Sequence, residues 1–211
     1  DVIAPIVTTQ NVTVQLDANG NASITTAQIN NSSTDNCGLT MMSLDITSFD
    51  CSNLGANTVT LTVTDVNSNI NTNTAIVTVQ DMIAPIVTTQ NVTVQLDANG
   101  NASITTAQID NNSTDNCGIA TMSLDVTSFG CSNIGVNTVT LTVTDASGNS
   151  STETATVTVQ ETTAPVVITQ NITVQLDATG NATITTADVN NNSTDNCGIQ
   201  SLALDMMTFD C

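Results

Sequence analysis

Asp and Asn residues recur in this chain at spacings that could hold a metal ion, with no side chain present that could balance their charge. Asp and Glu number 19 against no Lys, Arg or His, for a formal charge of −19. Acid–base catalysis near neutral pH would fall to a carboxyl of strongly raised pKa, because His and Lys are absent, so the chain reads as non-enzymatic. A carboxylate pair for glycoside hydrolysis is the one enzymatic alternative, and it needs a cleft that short loops leave little room for. Nucleic acid and anionic bilayers are held through Lys and Arg, which excludes both as partners. Repulsion among so many carboxylates opposes compaction. The available donors are all oxygens, which suit a hard cation such as calcium; a solvated acidic surface is the plain alternative.

Three groups of such donors recur. Asp81 and Glu161 open two successive segments, and the turns TDVNSN and TDASGN supply Asp65 with Asn69 and Asp145 with Asn149. We expect calcium where a segment meets the turn of the one before it, Asp81 and Glu161 being the leading ligands, Asp65 and Asp145 the turn ligands, and Asn69 and Asn149 secondary donors. The second group is Asp17, Asn19 and Asn21, which returns as Asp97, Asn99 and Asn101 and as Asp177, Thr179 and Asn181. It resembles part of an EF-type loop without the bidentate terminal acid, and a hairpin turn explains it equally well. The third is the STDNCG loop carrying Asp35, Asp115 and Asp195, where capping of loop amides is the competing account. These last two groups are the fallback calcium sites. Asp45, Asp125 and Asp205 are read as outward-facing, mid-strand surface charge.

The elements that must position these residues repeat every 80 positions. DVIAPIVTTQNVTVQLDANGNASITT at Asp1 returns as DMIAPIVTTQNVTVQLDANGNASITT at Asp81 and, more loosely, at Glu161; the first two copies share 63 of 80 positions. This is a tandem array, with domains expected at 1–80, 81–160 and an incomplete 161–211. Apolar and polar residues alternate with period two at Val12, Val14 and Leu16, at Met42, Leu44 and Ile46, at Val59, Leu61 and Val63, and at Ala75, Val77 and Val79. No segment shows a helical period. The chain is therefore expected to be all-β, a series of seven-strand immunoglobulin-like sandwiches set end to end by short linkers containing Pro85 and Pro165. The single Phe of each unit, Phe49, Phe129 and Phe209, is expected to pack on or near a disulfide.

Each unit also carries two cysteines at constant spacing. With no CxxC or Cys/His cluster, they read as one local disulfide per repeat: Cys37 with Cys51, Cys117 with Cys131, and Cys197 with Cys211. Closing such a short loop contributes on the order of 3 kcal/mol in the chain-entropy account. No apolar stretch approaches the roughly 20 residues that cross a bilayer, so membrane insertion is not expected.

Four segments together carry a resemblance: the DxxAP opening at Asp81 to Pro85, NGNAxIT at Asn99 to Thr105, STDNCG at Ser113 to Gly118, and TLTVTDASGNSS at Thr140 to Ser151. They resemble the hyalin-repeat (HYR-like) and immunoglobulin-like units of giant bacterial surface proteins, including the gliding-motility adhesins of Bacteroidetes. The resemblance implies a secreted, cell-surface, calcium-associated spacer or adhesin exported by the type IX route. The expected function is a stiff extracellular stalk or filament displaying a distal adhesive element, with neighbouring repeats as its partners. In the alternative, the repeats themselves bind surface glycans or identical filaments, and repetition supplies avidity. Lateral assembly by strand donation to the incomplete third repeat is a further possibility.

Overall fold

The computed structural model describes residues 1–211. The first 80 residues give β1 (Val12–Gln15), β2 (Asn21–Ser23), a single helical turn α1 (Thr26–Ile29), β3 (Leu39–Leu44), β4 (Ser48–Asp50), β5 (Gly55–Asp65) and β6 (Ile70–Gln80). One sheet has the order β1-β6-β5-β3 and a second pairs β2 with β4. The second period repeats this as β7 (Val92–Gln95), β8 (Asn101–Ser103), α2 (Thr106–Ile109), β9 (Ile119–Leu124), β10 (Ser128–Gly130), β11 (Gly135–Asp145) and β12 (Ser150–Gln160). The third adds β13 (Asn181–Thr183), α3 (Thr186–Val189) and β14 (Thr208–Asp210). The architecture is all-β, a tandem of immunoglobulin-like β-sandwich units. Six strands plus a lead-in segment, bridged at Ile6 to Thr34 and Thr9 to Asn30, stand where seven strands were expected.

Two compact units are distinguished. One comprises residues 1–89, 110–123 and 141–153; the other comprises 90–109, 124–140 and 154–211. In the first, the period-two alternation of β5 and β6 turns Val59, Leu61, Val63, Ala75, Val77 and Val79 inward. Leu16, Ile24, Ile29 and Phe49 complete the core from the other elements. Each Val, Leu, Ile or Phe among them contributes about 1.5 to 3 kcal/mol when fully buried. Cys51 and Cys117 pack on the core that holds Phe49. In the second unit β7 pairs with β12 and β8 with β10, and Leu96, Ile104, Ile109, Phe129, Val157 and Val159 are buried.

The pairing of β1 with β6 is parallel, Val12 opposite Val77 and Gln15 opposite Gln80. The lead-in to β1 therefore lies beside the start of β6, and side chains stand in for a ladder there: Asn71 Nδ2 donates to the Pro5 carbonyl at 2.8 Å and Asn73 Nδ2 to that of Val7 at 3.0 Å. Residues 1–5 are thus carried to the turn between β5 and β6. We call this end of the sandwich its leading pole.

Three expectations about local structure need correction. The Asp17 to Asn21 turn does not close a hairpin, because β1 belongs to the large sheet and β2 to the small one; the turn crosses between layers. A helical turn exists at α1, α2 and α3 without a helical period, because four residues are too few to show one. At α1 the Thr25 N–H donates to Gln28 Oε1 at 2.8 Å, the reciprocal cap that a Thr-x-x-Gln spacing allows. Asp45 and Asp125 are exposed, as expected of surface charge, but Asp45 is not mid-strand. It follows the end of β3, where its Oδ1 accepts the Thr60 N–H at 2.7 Å, and Asp125 does the same for Thr140 at 2.7 Å.

The disulfides also differ from expectation. Cys51 pairs with Cys117 and Cys131 with Cys197, each across 66 positions with Cα atoms 5.3 Å apart, while Cys37 and Cys211 are free. Local pairing fails because β3 runs between Cys37 and Cys51: a six-residue strand spans about 20 Å, and a disulfide bridges at most about 7 Å. Cys37 lies beside Asp35 at the leading pole, and Cys51 Sγ lies beside the Gly20 carbonyl at the other. The constant spacing is the length of a strand traverse. Closing a 66-residue loop is worth about 4 kcal/mol in the chain-entropy account, more than the short loop would give.

Candidate metal centre

Three carboxylates converge where the second period begins. Oxygens of Asp81, Asp115 and Asp145, all within the first compact unit, lie within 4.8 Å of one another. Asp81 is 4% and Asp145 3% exposed, and Asp115 is half-buried. Asp145 ends β11 and shapes the turn that follows: its Oδ1 accepts the N–H groups of Ser147 at 2.9 Å and Asn149 at 2.8 Å, and its Oδ2 accepts Asn149 Nδ2 at 2.7 Å. The same Asn149 amide reaches the carbonyls of Asp81 at 3.2 Å and Ile83 at 3.3 Å, tying the lead-in to the turn. Asp81 Oδ1 accepts from the Ile83 N–H at 3.1 Å and from Asn116 Nδ2 at 3.2 Å, and Asp115 Oδ1 accepts the Cys117 N–H at 2.8 Å.

Three oxygens in this group have no donor: Asp81 Oδ2, Asp115 Oδ2 and Asn116 Oδ1 are buried and unpartnered. Two unit charges 4.8 Å apart repel by about 3.5 kcal/mol at an effective dielectric constant of 20. The chain has no Lys, Arg or His to offset this. A set of oxygen donors with three carboxylates and three donorless buried oxygens fits a calcium ion better than magnesium, which keeps most of its waters. A cleft lined by Gly55, Gln80, Asp81 and Ser147 opens beside the group.

The equivalent group 80 residues earlier is Asp1, Asp35 and Asp65, also within 4.8 Å, with Asp65 buried and Asp1 exposed. Asp65 accepts the N–H groups of Asn67 and Asn69, both at 2.8 Å, and Asn69 Nδ2 at 2.6 Å; Asp35 Oδ2 is unpartnered. Burial pushes the Asp65 carboxyl up, and the Asn69 and Asn67 donors outweigh it, leaving its pKa below the ordinary value. It is a carboxylate at neutral pH.

The structure thus brings Asp81 together with Asp145 and Asn149 of its own period, while Asp65 and Asn69 belong with Asp1 and Asp35. The parallel β1-β6 pairing is the reason, since it puts the turn between the two long strands at the leading pole of the same period. Asp115 and Asp35, placed among the fallback residues, join these groups, as does Asn116, the Asn of the same STDNCG loop; Asp1 is in neither the leading nor the fallback set. Glu161 accepts the Thr163 N–H and joins no such group. Asp195 Oδ1 accepts the Cys197 N–H at 2.9 Å, and beside it Asn196 Oδ1 is buried without a partner.

Asp17, Asp97 and Asp177 stand apart as turn-formers. Asp17 Oδ1 accepts the N–H groups of Asn19 at 2.8 Å and Asn21 at 3.0 Å, and the other two repeat the pattern. The Asn101 and Asn99 amides hold the Asp97 carboxyl below the usual carboxylate range, as the Thr179 hydroxyl and the Asn181 and Thr179 amides do for Asp177. This direction is opposite to that which a general acid needs.

No family model matches the chain, and no curated protein matches it. Solved structures that resemble it include protocadherin ectodomains. Cadherin domains 1–4 of protocadherin gamma B7 share 12% identity at a TM-score of 0.38 over 86% of this chain, which spans 57% of that one. The first two domains of human mucin-like protocadherin share 15% at 0.40 over 75% of this chain and 98% of that one, and those of human protocadherin-24 share 14% at 0.40 over 76% and 100%. Likenesses this distant assign no function. None of these is a hyalin-repeat or gliding-motility array, so that resemblance is corrected.

Proposed function

We propose that this chain is a run of extracellular structural repeats, with units at 1–80, 81–160 and 161–211, forming a stalk that displays an adhesive element. Calcium held by Asp81, Asp115 and Asp145 clamps the lead-in of a repeat to the turn between its two long strands. The observation that carries this reading is the pair of buried, donorless carboxylate oxygens on Asp81 and Asp115, set against Asp145 in a chain without cations. Asp1, Asp35 and Asp65 form the corresponding set one period earlier. Phe49 and Phe129 are buried, so the repeats lack an aromatic platform of their own for glycans.

Calorimetric titration of calcium into the metal-free full chain tests the reading, with Asp81→Asn as the variant. Wild type is expected to bind. At a free concentration 100 times the Kd, the gain is about 2.7 kcal/mol, and the Tm rises by about 5 to 10 °C. Asp81→Asn is expected to lose at least one bound ion per chain. Wild type that takes up no calcium at millimolar concentration refutes the clamp.

A further inference from the structure

The two disulfides change which residues can carry tension. Force applied at Asp1 and Cys211 follows the continuous covalent route through the molecule. That route runs from Asp1 to Cys51, crosses to Cys117, runs to Cys131, crosses to Cys197 and ends at Cys211. Residues 52–116 and 132–196 lie in closed loops outside it. Those loops contain β5, β6, β11 and β12, the long strands that hold most of the core, as well as Asp81, Asp115 and Asp145. The loaded stretch between the bridges, Cys117 to Cys131, contains only β9 and β10.

We propose that the chain acts as an inextensible tether, in which the inter-repeat disulfides shunt load past the sandwich cores so that unfolding a repeat releases almost no length. Within one 80-residue period the loaded path is Cys117 to Cys131, which is about 50 Å when fully drawn out at about 3.5 Å per residue, plus one bridge with its Cα atoms 5.3 Å apart. The same period without bridges extends to about 280 Å. The bridges thus shorten the fully drawn-out length of a period about fivefold. An ordinary sandwich array absorbs force by unravelling; this one passes force on at nearly fixed length. The inference needs only the connectivity of the bridges and does not depend on the calcium reading.

The test is force–extension measurement on single full-length chains held by tags at the two termini, in chelator and in calcium, with and without a phosphine reductant. The oxidised chain is expected to reach a contour length of about 280 Å and the reduced chain about 735 Å, each bridge releasing about 225 Å. Cys51→Ser and Cys131→Ser are expected each to restore one such increment without reductant. An oxidised chain that extends beyond about 300 Å, or a length unchanged by reduction, overturns the proposal. The same lengths with and without calcium support it irrespective of the clamp, and lengths fixed by calcium in the reduced chain overturn it.

Discussion

Gly20 offers a sharp test of how closely the Asp17 to Asn21 turn packs against the segment that carries Asn116. Its φ is +74°, and a Cβ built there would lie 2.7 Å from Cys51 Sγ and 2.9 Å from the Asn116 carbonyl oxygen. Neither neighbour can give way easily, because the sulfur is fixed by the bridge to Cys117 and the oxygen is backbone. Gly20→Ala therefore has two costs: about 1 kcal/mol or more for a side chain in the left-handed region, and about 1 to 3 kcal/mol for the overpacking. A total near 3 kcal/mol lowers the Tm by about 6 to 12 °C in a chain of this size. Gly180→Ala is the control. Its φ is +80°, but its Cβ would meet only the sulfur of the free, exposed Cys211 at 2.9 Å, which can turn away. Calorimetric melting of both variants under oxidising conditions reads the difference. Equal losses would mean that the dihedral alone is at work and that the Asn116 carbonyl does not press on the turn.

Two further outcomes follow from the same geometry. Ser68 occupies the turn between β5 and β6 with φ of 70°, where the second period has Gly148 at 92°; Ser68→Gly is expected to stabilise the chain by about 1 kcal/mol in urea unfolding, and a loss would contradict the left-handed assignment. The Thr140 amide holds the Asp125 carboxyl below its ordinary value of 3.8, outweighing burial. A depressed folded pKa gives stability that is present above the unfolded value and is lost as pH falls below 3.8 toward the folded one. Asp125→Asn keeps an oxygen for the Thr140 N–H without titrating, so its urea midpoint should fall less steeply than that of wild type between pH 4 and 2; identical slopes would refute the assignment.

What could be read in advance was the strand pattern, because Val59, Leu61 and Val63 alternate cleanly and burial on one face requires alternation. The helical turn at Thr26 was not legible as a period, though the Thr25 and Gln28 spacing marks its cap. The cysteine pairing was recoverable. The alternation at Met42 and Leu44 marks a strand between Cys37 and Cys51, and the reach of a disulfide excludes joining its two ends. The candidate metal residues were nearly all visible as recurrent acids, but their grouping was not. It depends on the parallel pairing of β1 with β6, a non-local choice that leaves no mark in the residues of either strand. The role of Asn116 was hidden for a similar reason, since its amide reaches the Asp17 carbonyl 99 positions away.

The closed loops also bear on how the chain withstands cutting. With no Lys or Arg, it offers trypsin-like proteases no site at all. A protease of other specificity that nicks residues 52–116 or 132–196 leaves two pieces still joined through Cys51–Cys117 or Cys131–Cys197. Only a cut in the short exposed path, such as the run from Cys117 to Cys131, parts the two ends. In a milieu rich in secreted hydrolases, most wounds to this chain would leave its ends connected.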